Sequence, residues 1–280
     1  MDRHKTLAVA SKYWRPGEDY LEEIVKGIDG KILDGDFLVF SEKAISTALG
    51  NIADESVVKP SLSAKVIAGF WTRVVWGYCL GFLCRFRNAL LRELREYPFD
   101  AGSRHKQVAL QYVGLLKALM FGSEGGIDGS NLPYSYVSLP LKNADVIAEE
   151  IRGRVQQRLG KMVCVVIADT DKAYSLFRFH FAPRHASVDG VHCFSGFVAF
   201  VVARMFGLRR RATPVAVAGC HVPVEELLDV ANVANRVRGF GAGRTVWDMA
   251  ARFGVGLSEV SWEMLETVKH KPIVIVRSKR

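Results

Sequence analysis

The alternation of apolar and polar positions divides the chain into recognisable elements. "RPGEDYLEEIVKGI" (15–28) reads as a turn followed by a short helix, with acidic residues in the first turn where the helix dipole favours them. "DGDFLVFSEKAIS" (34–46) predicts a strand, from an Asp-Gly turn through an apolar run to a polar exit at Ser41. Helical spacing runs from about Leu62 to Tyr97, where Pro98 ends it. "KQVALQYVGLLKALMFGSEGGIDGSN" (106–131) fits two strands or a broken helix, and its two glycine-containing breaks favour strands. Residues 143–158 are helical in pattern, and "KMVCVVIADTD" (161–171) is the clearest strand, a continuous apolar run ending in Asp-Thr-Asp. Then come an apolar helix (195–207), the strand "TPVAVAG" (213–219), a helix (223–238), and the glycine-rich break "RGFGAGRT" (238–245). Helical pattern continues to about 268, and "KPIVIVRS" (271–278) is a last strand. Strands and helices mix without βαβ regularity or internal repeat, so the expected class is α+β, mixed sheets with packed helices.

Length and composition narrow the picture. A chain of 280 residues with 49% hydrophobic and 24% charged positions can bury a sizeable core, which excludes disorder as the main state. The excess of 38 Lys+Arg over 29 Asp+Glu gives +9, a field suited to anionic partners. Cys79, Cys84, Cys164, Cys193 and Cys220 form no CxxC pair, and a reduced, cytoplasmic compartment is the simplest reading. The apolar stretch near the N-terminus is too short for a signal h-region. Residues 66–86 are nearly long enough to span a bilayer, but Arg73 would lie inside the span. A buried or interfacial amphipathic helix is preferred to membrane association there.

Chemistry concentrates in a few places. Asp128, in the glycine-flanked "SEGGIDGSN" (123–131), and Asp169 and Asp171, at the end of a buried-type strand, could meet in a cleft. With Ser130, Asn131 and Thr170 they would suit a hard cation, Mg²⁺ or Mn²⁺. The plainer alternative makes Asp128 a turn residue and Asp169 a helix cap. Gly239, Gly241 and Gly243, followed by Arg244 and Thr245 at a helix start, form a possible phosphate cradle or a flexible connector. His180, His185, His192 and Cys193 match no common zinc spacing and read as scattered hydrogen-bonding groups. "DMAARFGVGLSEVSWEML" (248–265) has a helix-turn-helix rhythm, and "LRRRA" (208–212) is basic. The recognition stretch would carry Glu259 and Glu263 and no Arg or Lys, which argues against nucleic acid as a partner.

Taken in order, "PGEDYLEEI" (16–24), "LVFSEKAISTALG" (38–50), "VKPS" (58–61), "GGIDGSN" (125–131), "VVIADT" (165–170) and "KPIVIVR" (271–277) span most of the chain. It resembles the coenzyme F420-0:γ-glutamyl ligases, as a divergent, archaeal-type member. The resemblance implies one α+β ligase-like domain over 1–280 in an intertwined homodimer, with helical insertions at about 62–97 and 246–270. It implies GTP and two divalent cations (Mg²⁺ or Mn²⁺) in the cleft. It also implies an acyl phosphate on a phosphate- or carboxylate-bearing acceptor, and attack by the amine of L-glutamate. Carried over, Asp128, Asp169 and Thr170 would ligate metal and Asn131 would contact nucleotide. Ser11, Lys12, Tyr13, Trp14, Glu42, Lys43, Gly239, Gly241, Gly243 and Arg244 fall where the family touches nucleotide. The chain departs from the pattern in three motifs: "DKAYSLFRFHF" (171–181) replaces the usual Gly-Arg continuation, Thr47 stands for a lysine, and Phe240 stands for an acidic ligand. Asp171 is a candidate replacement for the missing ligand. These departures leave a second reading open, a ligase-fold protein that binds a nucleotide or deazaflavin-like anion without forming an amide.

Overall fold

A computed structural model describes residues 4–122, 124–194 and 196–278; Ser123 and Ser195, inside two of the segments above, lie outside it. In chain order the strands are β1 (His4–Ser11), β2 (Phe37–Ser41), β3 (Ile52–Asp54), β4 (Tyr136–Ser138), β5 (Cys164–Leu176), β6 (Phe179–Ala182), β7 (Val191–Cys193), β8 (Arg209–Ala218) and β9 (His270–Ser278). The main helices are α1 (Tyr20–Ile28), α2 (Glu42–Ala48), α3 (Leu62–Leu83), α4 (Asn88–Arg95), α5 (Phe99–Val113), α6 (Ala144–Leu159), α7 (Phe197–Met205), α8 (Val224–Arg238), α9 (Val246–Phe253) and α10 (Trp262–Glu266).

Strands β1-β9-β2-β5-β6-β7 form one mixed sheet in that order, with β8 also paired to β5, while β3 and β4 form a small separate ladder. The pairs β2–β5 and β6–β7 are parallel and the other strand pairs are antiparallel. This is the α+β arrangement the sequence pattern predicts. The central strands are apolar without alternation because both faces of the sheet are covered. Leu38, Phe40, Val165 and Ile167 point into a core with Ile24, Ile28, Ala148 and Ile151 of α1 and α6. Phe37, Val39, Val166 and Ala168 point the other way, against Leu227, Leu228, Ala231 and Ala234 of α8.

Four expectations change. Residues 106–118 are helical rather than strands: α5 runs to Val113, Gly114 (φ +83) breaks it, and a short helix resumes at Leu115. Gly114 ends a helix there instead of separating strands. Pro98 does not close one long helix; it precedes the first turn of α5, where its missing N–H costs nothing. Strand β5 does not stop at Asp-Thr-Asp but continues to Leu176. Its register against β8 shifts between Asp169 and Lys172, a bulge that re-aims the acidic side chains in mid-strand. Finally, Cys164 and Cys220 form a disulfide, so they are not the reduced pair that composition suggested; Cys79, Cys84 and Cys193 are free.

Helix α3 is long and apolar enough to cross a membrane, and its middle, Ile67–Leu80, is π-helical. Thr72 and Trp76 are fully buried, and Arg73 donates to the Tyr97 carbonyl (2.7 Å). Its outer side carries Leu62, Val66, Phe70, Val74, Tyr78 and Phe82 at four-residue spacing, all exposed.

Candidate functional site

Two clefts open on either side of the β5 bulge. The first, of about 260 Å³, runs between the 239–244 loop, the N-terminus of α2 and the start of β9. Six basic side chains line it, Lys43, Lys172, Arg238, Arg244, Lys269 and Lys271, against one acidic side chain, Asp128. The second, of about 350 Å³, lies between α5 and α9 and is lined by Tyr97, Phe121, Tyr134, Tyr136 and Trp247. Asp128, Ser130, Thr170 and Arg244 border both.

The glycine-rich loop is held open by Asn131. The Asn131 Oδ1 accepts from Ala242 N (2.5 Å), and its Nδ2 donates to the carbonyls of Phe240 (3.2 Å) and Gly243 (3.1 Å). Asn131 itself sits at φ +58, a conformation asparagine tolerates better than most residues, and its carbonyl accepts from the Tyr13 hydroxyl. The amide thus shapes the loop from the wall of the basic cleft. Gly239 and Gly241 adopt positive φ, and a Cβ at Gly243 would lie 2.6 Å from Met249 N, so both the turn and the close approach require glycine. Arg244 lies over the Phe240 ring at 4.2 Å, a cation–π contact that presents the guanidinium between the clefts.

Some assigned residues lie away from the cleft. Lys12 is half exposed and paired with Glu18 and Glu23, and its carbonyl accepts from His270. Glu42 is 3% exposed, borders neither cleft and serves as a buried counter-ion. Tyr13, Trp14, Lys43, Gly239, Gly241, Gly243 and Arg244 do line the basic cleft.

Sequence reasoning missed Lys172, Arg238 and His270, which line the basic cleft, and Arg184, which borders neither cleft but is buried against Glu42 and Asp169. Arg184 is 1% exposed and reaches Glu42 at 2.6 and 2.8 Å and also Asp169. Arg238 borders the basic cleft; its Nη2 has a long bond to Val39 O (3.4 Å) and its Nε has no partner among the described residues. Burial pushes its pKa down to about 10, which the charge of Asp169 partly opposes. His270 stacks on Tyr13 (4.6 Å); burial is the main cause that lowers its pKa to about 4, so the ring is neutral at physiological pH. Its Nδ1–H is assigned as donor to the Lys12 carbonyl (3.0 Å), which can only accept. Only the folded chain brings these residues in from β5, α8, β9 and the β6–β7 connection.

The metal expectation meets a different chemistry. Asp128 Oδ1 accepts from Ser130 N (2.7 Å) and Oδ2 pairs with Lys43, which also donates to Ser130 O (2.8 Å) and Oγ (2.7 Å). Asp169 Oδ1 accepts from Thr170 N (2.6 Å), and Oδ2 accepts from Arg184. Among the described residues no group of three or more His, Cys, Asp and Glu side chains is placed to hold a metal ion. The Asp128 and Asp169 carboxylates are each paired with a protein cation in this arrangement, whereas Mg²⁺ or Mn²⁺ would favour several converging open oxygens. His180 bonds Ser175 Oγ (2.9 Å) and His192 stacks on Phe179 (4.8 Å), as hydrogen-bonding or packing groups would.

A mixed sheet whose bulged central strand separates a basic cleft from an aromatic one defines a two-cleft α+β protein. The sequence profile of the F420-0:Gamma-glutamyl ligase family matches residues 9–232, and the chain belongs to that family. Over 98% of its length it is 32% identical to 97% of Uncharacterized protein MJ1361 from Methanocaldococcus jannaschii. Two proteins named Coenzyme F420:L-glutamate ligase, from Archaeoglobus fulgidus and Methanopyrus kandleri, are 32% and 28% identical over 160 residues. Those matches span 56% of this chain and 55% of each ligase.

Proposed function

We propose that the protein is a nucleotide-dependent amide ligase that adds L-glutamate, or a similar amine, to a carboxylate acceptor of the coenzyme F420-0 type. The observation that carries this reading is the rim shared by the two clefts, Asp128, Ser130, Thr170 and Arg244. An acyl-phosphate ligase must bring a phosphoryl donor and an acceptor carboxylate together at one point, and two clefts meeting at one rim allow this. The basic cleft takes the triphosphate of GTP, whose charge the lysines and arginines offset. The aromatic cleft takes a ring-bearing acceptor, with its carboxylate turned towards Arg244.

In the first step an acceptor carboxylate oxygen attacks the γ-phosphorus, the bond to the β–γ bridging oxygen breaks, and GDP leaves. In the second the amine of glutamate attacks the acyl carbon, the acyl–phosphate C–O bond breaks, inorganic phosphate leaves and the amine loses a proton. Arg244, lying at the rim, stabilises charge on the transferring group. An intertwined homodimer belongs to the same reading. Equilibrium binding tests the donor half: GTP should bind, and Arg238→Ala or Lys172→Ala should weaken it about tenfold or more without unfolding the chain. Unchanged affinity in both variants would remove the basic cleft from the reaction.

A second reading has a specific observation behind it. Both acidic positions that the resemblance assigns to metal are neutralised by the protein's own cations, as a repurposed binding protein would permit. GTP binding with neither phosphate release nor amide product would favour it.

A further inference from the structure

We infer that Arg184 and Lys43 are resident cations that hold the positions a divalent metal would otherwise neutralise, so that nucleotide-free protein takes up no metal there. The inference rests on the nucleotide reading above only for its second test. Glu42 Oε1 accepts from Leu141 N (2.9 Å) and Arg184 Nη2 (2.8 Å), and its Oε2 pairs with Arg184 Nη1 (2.6 Å). Asp169 Oδ1 accepts from Thr170 N (2.6 Å), and Oδ2 accepts from Arg184 Nη1. Asp128 Oδ1 accepts from Ser130 N (2.7 Å), and Oδ2 pairs with Lys43. All six oxygens of the three carboxylates have a donor. Protein cations occupy Asp128 Oδ2, Asp169 Oδ2 and both Glu42 oxygens, so a hard cation that drew on these oxygens would have to displace an ammonium or guanidinium group already bonded in place.

The fold is built to keep Arg184 there. The Arg184 Nε donates to the His185 carbonyl (3.3 Å), so all three guanidinium nitrogens are engaged. The guanidinium lies against bare backbone at Gly126, where a Cβ would come within 2.7 Å of Nη1 and 2.9 Å of Cζ. The φ of +100 at Gly126 disfavours a side chain as well. The second glycine of "GGIDGSN" therefore makes room for the arginine. A rigid, always charged fork suits two carboxylates better than an ammonium group, whereas Lys43, on the cleft wall, bridges one carboxylate and one hydroxyl.

The test uses the full chain dialysed against EDTA and titrated with Mn²⁺, free ion being read by electron paramagnetic resonance. Wild type is expected to show no saturable site, while Arg184→Gln and Lys43→Gln each gain one as a carboxylate is released. Saturable binding to wild type that Asp128→Asn or Asp169→Asn abolishes would overturn the inference. Failure of both folded Gln variants to gain a site would also count against it. If Arg184→Gln does not fold, Lys43→Gln, less buried, gives the same readout at Asp128. The second measurement is GTP affinity in EDTA and in Mg²⁺, expected to agree within about tenfold. A strict Mg²⁺ requirement contradicts the inference. Absence of GTP binding in both buffers removes the nucleotide reading instead and leaves the Mn²⁺ result to decide this one.

Discussion

At the scale of single residues, the site is governed by buried charges that need their partners. Breaking a buried ion pair from one side leaves an uncompensated charge, so Arg184→Ala should cost about 3–5 kcal/mol in denaturant unfolding. Arg184→Lys should recover part of that loss. A second cluster lies on the wall of the aromatic cleft. His105 Nδ1 is 2.6 Å from Glu55 and Nε2 is 3.5 Å from Glu124, which also holds the buried Lys106 at 2.6 Å. Burial alone would lower the pKa of His105, but the charges of Glu55 and Glu124 outweigh it and hold it up at about 10. Burial would likewise raise Glu124, but Lys106 and His105 hold it down at about 2. The raised histidine contributes stability fully below its ordinary 6.5 and loses it as pH rises through about 10. The depressed carboxylate contributes above its ordinary 4.5 and loses stability as pH falls through about 2. Unfolding free energy should therefore decline between about pH 6.5 and 10, and His105→Gln should flatten that alkaline slope; an unchanged slope would refute the assignment. The sequence made Asp128 and Asp169 visible because each sits in an unusual local setting. Arg184 was invisible because it gains meaning only from carboxylates 15 and 142 positions away.

At the scale of elements, the apolar runs of β2, β5 and β9 and the periodicity of α1, α6 and α8 were legible, since burial on two faces or one stripe writes directly into the sequence. The bulge in β5 was not legible, because pairing with β8 creates it and no local residue type announces it. Glycine proved ambiguous for the same reason. At Gly114 it ends a helix, at Gly126 it admits a guanidinium, and at Gly241 it admits the Asn131 amide. The aromatic cleft is likewise an assembly. Tyr97 follows α4 and Trp247 opens α9, and their rings approach to 6.3 Å across the cleft wall. These two segments, expected as insertions, meet at that wall. Trp247→Ala should therefore weaken acceptor binding about tenfold or more while GTP affinity stays close to wild type, measured by separate titrations. Equal losses for both ligands would mean that the two clefts are not separate subsites.

For the whole molecule, the net charge of +9 is concentrated where it can act, since six basic side chains meet one acidic one in the first cleft. GTP binding should therefore weaken as ionic strength rises, because the cleft charges are partly screened. The order of motifs and the α+β class were legible along the chain. The substitution of internal cations for an open carboxylate set appears only in three dimensions. The central claim is that the two clefts serve one ligation. Its most direct measurement is mass spectrometry of a deazaflavin acceptor lacking glutamate after incubation with the protein, GTP, Mg²⁺ and L-glutamate. The account predicts an acceptor heavier by one glutamyl residue, with GDP and phosphate formed in equal amounts. An unmodified acceptor and no phosphate, from protein that binds both GTP and acceptor, would contradict it.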